Sequence, residues 1–432
     1  MMNSISVHQT EALLFHTLLQ LAIIVLAGRL GSAAALRVGQ VAAVGEIIIG
    51  ILLGPSFLGA AMPEFFHYAF KSSAPEPMQM LSQIGLILLM FQIGLEFDFS
   101  HLSEQRNRRA VSRVAALSLV LPFSLGLAFG YLSAPVLSPE SDPTGSALFV
   151  ATAFSITALP ILGRILIDFS MTRTRLGVIA ISAAAINDVI GWLLLALVTA
   201  LTVAHFDAGA FGFRVFLVVA FMLLCWYAVR PALKRLVRHA NLRDGRLPGN
   251  LLGVLLAVIF MAAMATHAIG IFAIFGGFMM GVILHDEHEL VAAWKERTGQ
   301  FVLVFFLPIF FTYTGLRTNI GGLDSLSLWG WCGLLLLLAT LGKFGGAYVG
   351  ARWSGLGHDE AKVLGILMNT RALMELIIIN VGLDLGVISR NVFTMLVIMA
   401  IVSTVVTTPG LNRWLPRTGV RPGPGAAPNV VP

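Results

Sequence analysis

One acidic side chain inside a long apolar stretch is the strongest candidate for chemistry in this sequence. Asp188 follows Asn187 in the apolar segment formed by residues 176–201. Asp188 lies about 12 residues from the start of that segment, or roughly 18 Å along a helix, which is near the middle of a bilayer. A charge at that depth costs about 2.5–3.5 kcal/mol on insertion scales and usually marks a transport pathway. The alternative is a carboxylate held in a structural salt bridge.

Other ionisable residues also lie well inside apolar segments, namely Glu46, Lys343, Arg371 and Glu375. An isolated buried ammonium tends to lose its proton and an isolated buried carboxylate tends to keep one, so Lys343 and Asp188 remain charged together if they pair. Such a pair predicts a coupling device, in which a cation arriving at Asp188 displaces Lys343. The alternative is that Lys343 snorkels to the membrane interface. Glycines flank Glu46 and indicate close helix packing, so we expect a structural role for it.

A proline and two hydroxyl residues interrupt the apolar segment around residues 154–160. Pro160 removes a backbone donor, so it is predicted to break the helix. Ser155 and Thr157 can offer hydroxyl oxygens to a monovalent cation. Hydroxyl side chains inside spans also bond their own helix, and the sequence leaves both interpretations open.

A second polar cluster, residues 369–375, lies seven predicted spans later and contains Arg371 and Glu375. Seven is an odd number, so the two clusters run in opposite directions, as they do in transporters built from inverted repeats with broken helices. This segment has no proline, and its break is inferred from that analogy alone. Arg371 and Glu375 stand four residues apart, which also fits an ion pair that neutralises itself.

The rest of the chain indicates an all-α polytopic membrane protein that would position these groups. Of 432 residues, 57% are hydrophobic and 12% are charged, whereas a soluble domain carries about 25% charged residues. A span needs about 20 apolar residues, which predicts about thirteen transmembrane helices in two inverted repeats with crossed broken helices. The predicted spans are residues 12–30, 40–58, 78–97, 111–133, 145–167, 175–202, 213–233, 249–268, 270–284, 299–316, 326–350, 361–383 and 391–412.

The predicted topology has an external N-terminus and a cytoplasmic C-terminus. It places most of the 28 Lys and Arg residues on the cytoplasmic side, as the positive-inside rule requires. The net charge of +6 therefore reflects topology, and we predict no nucleic-acid partner. We expect a transmembrane domain over 1–416, with halves of about 1–230 and 249–412 joined by a cytoplasmic linker over 231–248, and a disordered tail over 417–432.

No motif for an enzyme, a cofactor or a metal is recognisable. Metal-ligand spacing, a phosphate-binding loop and a nucleophile elbow are all missing from the sequence. Cys225 and Cys332 both fall in apolar segments, where cysteine behaves as a small hydrophobic residue. We therefore predict neither catalysis nor a cofactor nor a metal site.

Several motifs together resemble one transporter family over nearly the whole membrane portion. They are Gly45-Glu46 through Gly54-Pro55-Ser56, Gly94-Leu95-Glu96, Ser155 through Pro160, Arg175 through Asp188, Phe275-Gly276-Gly277-Phe278, Phe306 through Phe311 with Gly315-Leu316-Arg317, and Asn369 through Leu376. In these stretches the chain resembles the monovalent cation:proton antiporters, in the branch that includes the Kef-type potassium efflux systems and the plant cation/proton exchangers.

The resemblance implies a sodium/proton antiporter fold, with a dimerisation bundle and a core bundle that contains two crossing, unwound helices. It implies that Asp188 is the shared cation and proton site, that Lys343 is its basic partner, and that Ser155 and Thr157 lie at the crossover. A homodimer, elevator-like alternating access and a bacterial inner-membrane location are implied in the same way. The nucleotide-binding domain of Kef-type proteins is missing, so gating by such a domain is not expected.

The leading hypothesis is exchange of K⁺ or Na⁺ for H⁺, with Asp188 carrying either the cation or the proton. Asn187 supplies an amide oxygen or holds Asp188 by hydrogen bonds. Many electrogenic relatives have a carboxylate where Asn187 stands, which predicts electroneutral exchange, although Lys343 is typical of lines that include electrogenic transporters and leaves the stoichiometry open. The alternatives are a gated cation channel or K⁺ efflux pathway, and a symporter for an organic anion in which Arg371 binds the substrate carboxylate.

Overall fold

A computed structural model describes most of the chain, and every regular element in the described ranges is a helix. Residues whose backbone is described are 7–40, 42–72, 74–96, 108–171, 174–203, 208–240, 242, 247–371 and 373–419. The predicted disordered tail begins in a described 3-10 turn, Leu415–Thr418, so its first residues are ordered. The rest of the tail, from residue 420 on, lies outside the described residues.

Nineteen α-helices are named here in chain order within the described ranges. They are α1 Val7–Arg37, α2 Ala42–Leu52, α3 Leu58–Ala61, α4 Pro63–Phe66, α5 Glu76–Leu95, α6 Arg108–Leu137, α7 Pro143–Ser155, α8 Leu159–Asp168, α9 Arg175–Val203, α10 Ala208–Leu224, α11 Arg230–His239, α12 Gly249–Ile269, α13 Ala273–Val282, α14 His288–Trp294, α15 Leu307–Arg317, α16 Leu326–Trp353, α17 His358–Met368, α18 Leu373–Asp384 and α19 Arg390–Trp414. Four π-helical turns continue neighbouring helices, at His67–Lys71, Cys225–Val229, Lys295–Gly299 and Val302–Phe306.

The all-α membrane architecture is confirmed, but fewer continuous spans form than the hydropathy pattern predicts. In the described part of the chain, nine helices are long and apolar enough to cross a membrane, or ten if the bent pair α17–α18 counts as one span. The other predicted spans correspond to short or interrupted helices. The α2 helix has 11 residues and α13 has 10, and residues 145–167 divide into α7 and α8. Hydropathy counts apolar residues and does not register where a helix stops.

These short and broken elements are the second, fifth, ninth and twelfth predicted spans. They form two pairs, each seven spans apart, which is the separation expected for the two halves of an inverted repeat. The α7–α8 and α17–α18 pairs are interrupted near their middle, while α2 and α13 are short and rich in glycine contacts. The helix lengths therefore recur at the same seven-span interval as the polar clusters.

The chain divides into two compact units, and each of them draws on both halves of the sequence. The first unit consists of residues 1–31, 46–98 and 199–317, and the second consists of 32–45, 99–198 and 318–432. All candidate site residues except Glu46 belong to the second unit. The predicted halves 1–230 and 249–412 therefore do not coincide with the compact units.

In the first unit, glycines allow α13 to pack directly on α5. A Cβ added to Gly277 would lie 2.5 Å from the Ile87 carbonyl oxygen, and one on Gly281 would lie 2.2 Å from that of Phe91. Real Cβ contacts are never that close, so any larger residue would push the two helices apart.

The predicted linker over 231–248 is not a loop throughout, because residues up to His239 continue as the basic helix α11. Acidic residues that follow α13 bind this helix. Arg230 Nη2 lies 2.9 Å from Asp286 Oδ2, Lys234 also donates to Asp286, and Arg238 Nη2 lies 3.4 Å from Glu287 Oε1. An amphipathic sequence with basic residues at a four-residue spacing favours a helix once such partners exist.

In the second unit, α6 is the central helix and contacts both α7 and α16. A row of glycines on α16 faces it. A Cβ on Gly346 would lie 2.2 Å from the Leu117 carbonyl oxygen, and one on Gly342 would lie 2.8 Å from the Pro122 Cα. This packing brings the backbones of α6 and α16 into contact at the level of Lys343.

Candidate functional site

Hydrogen bonds join the two helix breaks of the second unit. Thr157 Oγ1 donates to the Met368 carbonyl oxygen at 3.2 Å, and the backbone N–H of Ala158 donates to the Thr370 carbonyl oxygen at 3.1 Å. Residues 156–158 are non-helical, so their backbone groups are available for these bonds. The predicted crossing of two broken helices is confirmed.

Pro160 lies at the second position of α8. A proline is well tolerated in the first turn, where its missing N–H has no intrahelical partner to lose. The break therefore precedes the proline, which begins a new helix and does not kink a continuous one.

Two cationic side chains bind the last three carbonyl groups of α7. Arg371 Nη1 donates to the Ala153 oxygen at 2.9 Å and Nη2 donates to the Phe154 oxygen at 3.0 Å. Lys343 Nζ donates to the Ser155 oxygen. The C-terminus of a helix leaves carbonyl groups unsatisfied and carries a partial negative charge. The two cationic side chains therefore supply hydrogen-bond donors to these carbonyl groups and compensate the partial negative charge of the buried helix end.

Arg371 also contacts Glu375 and a third helix. Its Nη1 lies 3.2 Å from Glu375 Oε1, and its Nη2 donates to the Ala339 carbonyl oxygen of α16 at 3.1 Å. Both charged residues are at most 1% exposed. The predicted i,i+4 pair is confirmed, and Arg371 additionally ties α7, α16 and α18 together.

Asp188 lies in the middle of α9, as predicted, and is 1% exposed. Neither of its carboxylate oxygens has a hydrogen-bond partner among the described residues. The Lys343 ammonium acts on this carboxylate electrostatically, and the backbone N–H of Leu159 lies near it as a donor, but neither group meets the distance and angle of a hydrogen bond to it. Asp188 is thus a buried acid with no direct partner in the described part of the protein.

The Lys343 ammonium is bound to the Ser155 carbonyl oxygen and acts on Asp188 electrostatically, so its role as the basic partner of Asp188 stays a prediction. Snorkelling is wrong, since Lys343 is completely buried. The free carbonyl at the end of α7 offers the ammonium a fixed acceptor inside the protein, which no sequence pattern reveals.

Asn187 is completely buried, and its amide nitrogen donates to Ser118 Oγ at 2.9 Å. Its amide oxygen has no hydrogen-bond partner among the described residues. Of the two roles predicted for Asn187, hydrogen bonding to Asp188 is therefore wrong, and the amide oxygen stays available as a ligand.

Ser155 and Thr157 use their hydroxyl hydrogens in different ways. Ser155 Oγ donates to the Thr152 carbonyl oxygen of its own helix at 2.9 Å, whereas Thr157 donates across to the other break. A hydroxyl that donates keeps its lone pairs, so both oxygens can still contact a cation.

One buried polar residue near the site was not found from the sequence. Ser118 contacts Asn187 from α6, 69 residues away, and nothing near it in the sequence signals that contact. Asn369, which begins the predicted second polar cluster, is the C-cap of α17, is 1% exposed, and leaves its amide oxygen without a partner in the described ranges.

The site offers hard oxygen ligands at a buried carboxylate. An unpartnered charge in the interior is costly, so Asp188 needs either a proton or a bound cation. Monovalent cations suit carboxylate, amide and carbonyl oxygens. No group of three or more His, Cys, Asp or Glu residues able to hold a metal ion occurs within the described residues.

The chain is similar to known ion transporters along most of its length. Residues 21–416 match the model of a family described as "Sodium/hydrogen exchanger, transmembrane". The Na⁺/H⁺ antiporter NhaS4 of Synechocystis sp. is 39% identical over 86% of this chain and 90% of its own length. Cation/H⁺ antiporter 17 of Arabidopsis thaliana is 35% identical over 93% of this chain, but this chain spans only 49% of that protein.

A solved structure shows the same fold. The sodium proton antiporter MjNhaP1 from Methanocaldococcus jannaschii superposes with a TM-score of 0.66 over 92% of this chain and 96% of that one, at 14% identity.

Proposed function

This chain belongs to the sodium/hydrogen exchanger family, and from that premise we propose that it is a secondary active antiporter exchanging K⁺ or Na⁺ for H⁺. Relatives named for Na⁺/H⁺ and for K⁺/H⁺ exchange both match the chain, so the proposal covers both cations.

One observation carries the proposal: both oxygens of the buried Asp188 carboxylate lack a hydrogen-bond partner among the described residues. The charge is compensated when Asp188 binds a proton or a cation, and the two ligands exclude each other because they need the same oxygens. This competition couples their movements. The Asn187 amide oxygen is the second ligand, and Ser155, Thr157 and the backbone at the two breaks complete the surroundings.

Lys343 takes a different role from that of a direct ion-pair partner. Its ammonium stabilises the end of α7 through the Ser155 carbonyl and acts on Asp188 only through its electric field. A positive charge at that place favours the ionised carboxylate without occupying its oxygens. Lys343 therefore tunes the competition between proton and cation.

The uncharged Asn187 supports electroneutral exchange of one cation for one proton, because Asp188 is the one carboxylate of the Asn187-Asp188 pair. Arg371 and Glu375 are assigned to the structure of the second break. The proposal further includes alternating access, a homodimer, and a multi-pass protein of the bacterial inner membrane with an external N-terminus and a cytoplasmic C-terminus.

The alternatives are less favoured. The relatives are named antiporters and not channels. An organic-anion symporter would need Arg371 to bind substrate, but both of its terminal nitrogens already contact Glu375 and the backbone carbonyls of Ala153, Phe154 and Ala339.

The test is proton exchange in liposomes containing the purified protein and a pH-sensitive dye. K⁺, Na⁺ or Li⁺ is added in turn, with the membrane voltage clamped or free. We expect a cation-triggered pH change that persists at zero voltage and identifies the ion. Dependence on a voltage shunt would contradict electroneutrality, and the absence of any pH change with every cation would overturn antiport.

A further inference from the structure

Ser118 contacts one end of the Asn187 amide and leaves the other end free. A carboxamide has an NH₂ group that donates and an oxygen that accepts, and only the oxygen can bind a cation. In the structure the nitrogen is occupied by Ser118 Oγ at 2.9 Å, and the oxygen has no partner among the described residues.

The hydroxyl of Ser118 favours this orientation. In the structure its one hydroxyl hydrogen is donated to the Ala115 carbonyl oxygen at 3.3 Å, so its oxygen accepts from the Asn187 NH₂ group. The reversed amide would require the hydroxyl to turn away from Ala115 and donate to the Asn187 oxygen, which would then no longer be free as a ligand.

Helix packing holds the serine in place. Ser118 is completely buried, and the adjacent backbone of α6 lies against Gly346 of α16, where an added Cβ would be 2.2 Å from the Leu117 oxygen and 3.1 Å from the Ser118 Cα. The acceptor for Asn187 is thus attached to a backbone that has no room to shift towards α16.

We propose that Ser118 is a positioning residue for cation binding: it holds the Asn187 nitrogen, so that the amide oxygen is presented as a ligand. This inference rests on the proposed function and adds to it a determinant of cation affinity on α6. Without Ser118, the amide loses the acceptor that holds its nitrogen, and its oxygen is no longer kept in one orientation.

The experiment compares Ser118→Ala with the wild type in the liposome assay, using Na⁺ and K⁺ as probes. Losing the amide orientation removes one ligand, so we expect the KM for the cation to rise roughly tenfold while kcat changes less than twofold. Ser133→Ala is the matched control, because Ser133 is also buried on α6 and donates to a carbonyl three residues earlier, Gly130, at 3.4 Å. Its KM should stay unchanged.

Two further variants distinguish positioning from a general structural defect. Ser118→Thr retains the hydroxyl and should restore most of the affinity. In an Asn187→Ala background, Ser118→Ala should have no additional effect on KM, because the serine acts through the amide; such non-additivity is the mark of a direct coupling.

An unchanged KM in Ser118→Ala, or an equal rise in both backgrounds, would overturn the inference while leaving antiport intact. A wild-type protein that exchanges no cation would instead refute the proposed function, and this inference with it.

Discussion

Two basic–acidic combinations lie in the same compact unit, and they are partnered very differently. Arg371 and Glu375 form a contact ion pair at 3.2 Å, with Arg371 bound to three backbone carbonyls as well. Lys343 and Asp188 are equally buried but do not touch, and the Asp188 oxygens have no partner in the described part of the chain. Burial alone therefore does not distinguish a structural charge from a transport charge.

The difference shows where each charge is compensated. Both terminal nitrogens of Arg371 bind fixed protein groups, so moving this side chain would leave several buried acceptors unsatisfied. The pair is not fully satisfied, because Arg371 Nε and Glu375 Oε2 have no hydrogen-bond partner among the described residues. At Asp188, the proposed transport residue, both carboxylate oxygens lack such a partner, so the whole charged group is left for an exchangeable ligand.

The largest expected effect comes from Asp188→Asn. An amide in place of the carboxylate cannot take up a proton or hold a cation by charge, so exchange should be abolished while the fold is kept. The measurement is cation-dependent pH change in liposomes, with thermal unfolding in detergent as the control for folding. Residual coupled exchange in this variant would show that Asp188 is not the shared site.

The second effect concerns the structural pair. Arg371→Ala leaves Glu375 buried without its partner and should reduce the free energy of unfolding by about 3–5 kcal/mol. Glu375→Gln keeps an acceptor for Arg371 and should lower the thermal midpoint less, while exchange persists. Arg371→Lys keeps the charge but lacks the planar guanidinium group, so its loss of stability should lie between those of Arg371→Ala and Glu375→Gln. If Glu375→Gln abolished exchange without affecting stability, the pair would belong to the transport site after all.

Lys343→Ala should lose less stability than Arg371→Ala and should also change the pH dependence of cation/proton exchange. The Ser155 carbonyl loses its donor, which costs about 1–3 kcal/mol of stability. Asp188 loses a nearby positive charge, so its carboxylate is protonated more readily and the pH of half-maximal exchange should move upwards. The charges of Arg371 and Glu375, which also act electrostatically on Lys343 in the wild type, are unchanged in this variant. An identical pH profile in wild type and variant would remove Lys343 from the tuning role.

The smallest effect is expected outside the transport site, at the ion pairs between α11 and the segment after α13. Partial burial on its own raises the pKa of Asp286, but hydrogen bonds from Lys234 and Arg230 outweigh it, so the pKa of this carboxyl lies below its usual value. A lowered pKa means that the contribution to stability is present above the ordinary carboxyl pKa and is lost as the pH falls through the lowered value.

The protection factors of the α11 amides, which are exchange rates corrected for the intrinsic effect of pH, should accordingly be the same at pH 7 and pH 6 and fall only below about pH 4. Asp286→Asn should remove the acid dependence of α11 protection. The cation/proton exchange activity of this variant should match that of the wild type. Loss of α11 protection in the wild type between pH 7 and pH 6 would contradict this assignment.

The chemistry-bearing residues of the site could be predicted from the sequence, because a charge within an apolar run is visible without any structure. Asp188 in mid-helix and the crossing at Thr157 were both expected and are found. The bond from Lys343 to the Ser155 carbonyl was missed, since its acceptor is a backbone carbonyl exposed by the helix break. Ser118 was missed for a similar reason: its contact joins residues far apart in the chain.

The helix count was the weakest part of the sequence prediction. Hydropathy predicts a full span over residues 40–58 and a short, glycine-rich one over 270–284, whereas α2 and α13 stop after 11 and 10 residues. Glycines in these segments allow close backbone contact and also weaken the helix. The residue that permits tight packing is thus the one that makes the span shorter than its hydropathy suggests.

The glycine row of α16 has a consequence for motion during transport. With the Gly346 and Gly342 positions pressed against the α6 backbone, the two helices cannot slide or rotate past each other without steric overlap. We therefore expect α6 and α16 to move as one rigid body that carries Lys343 and Ser118 together. Distances between spin labels on the two helices should then stay constant during turnover.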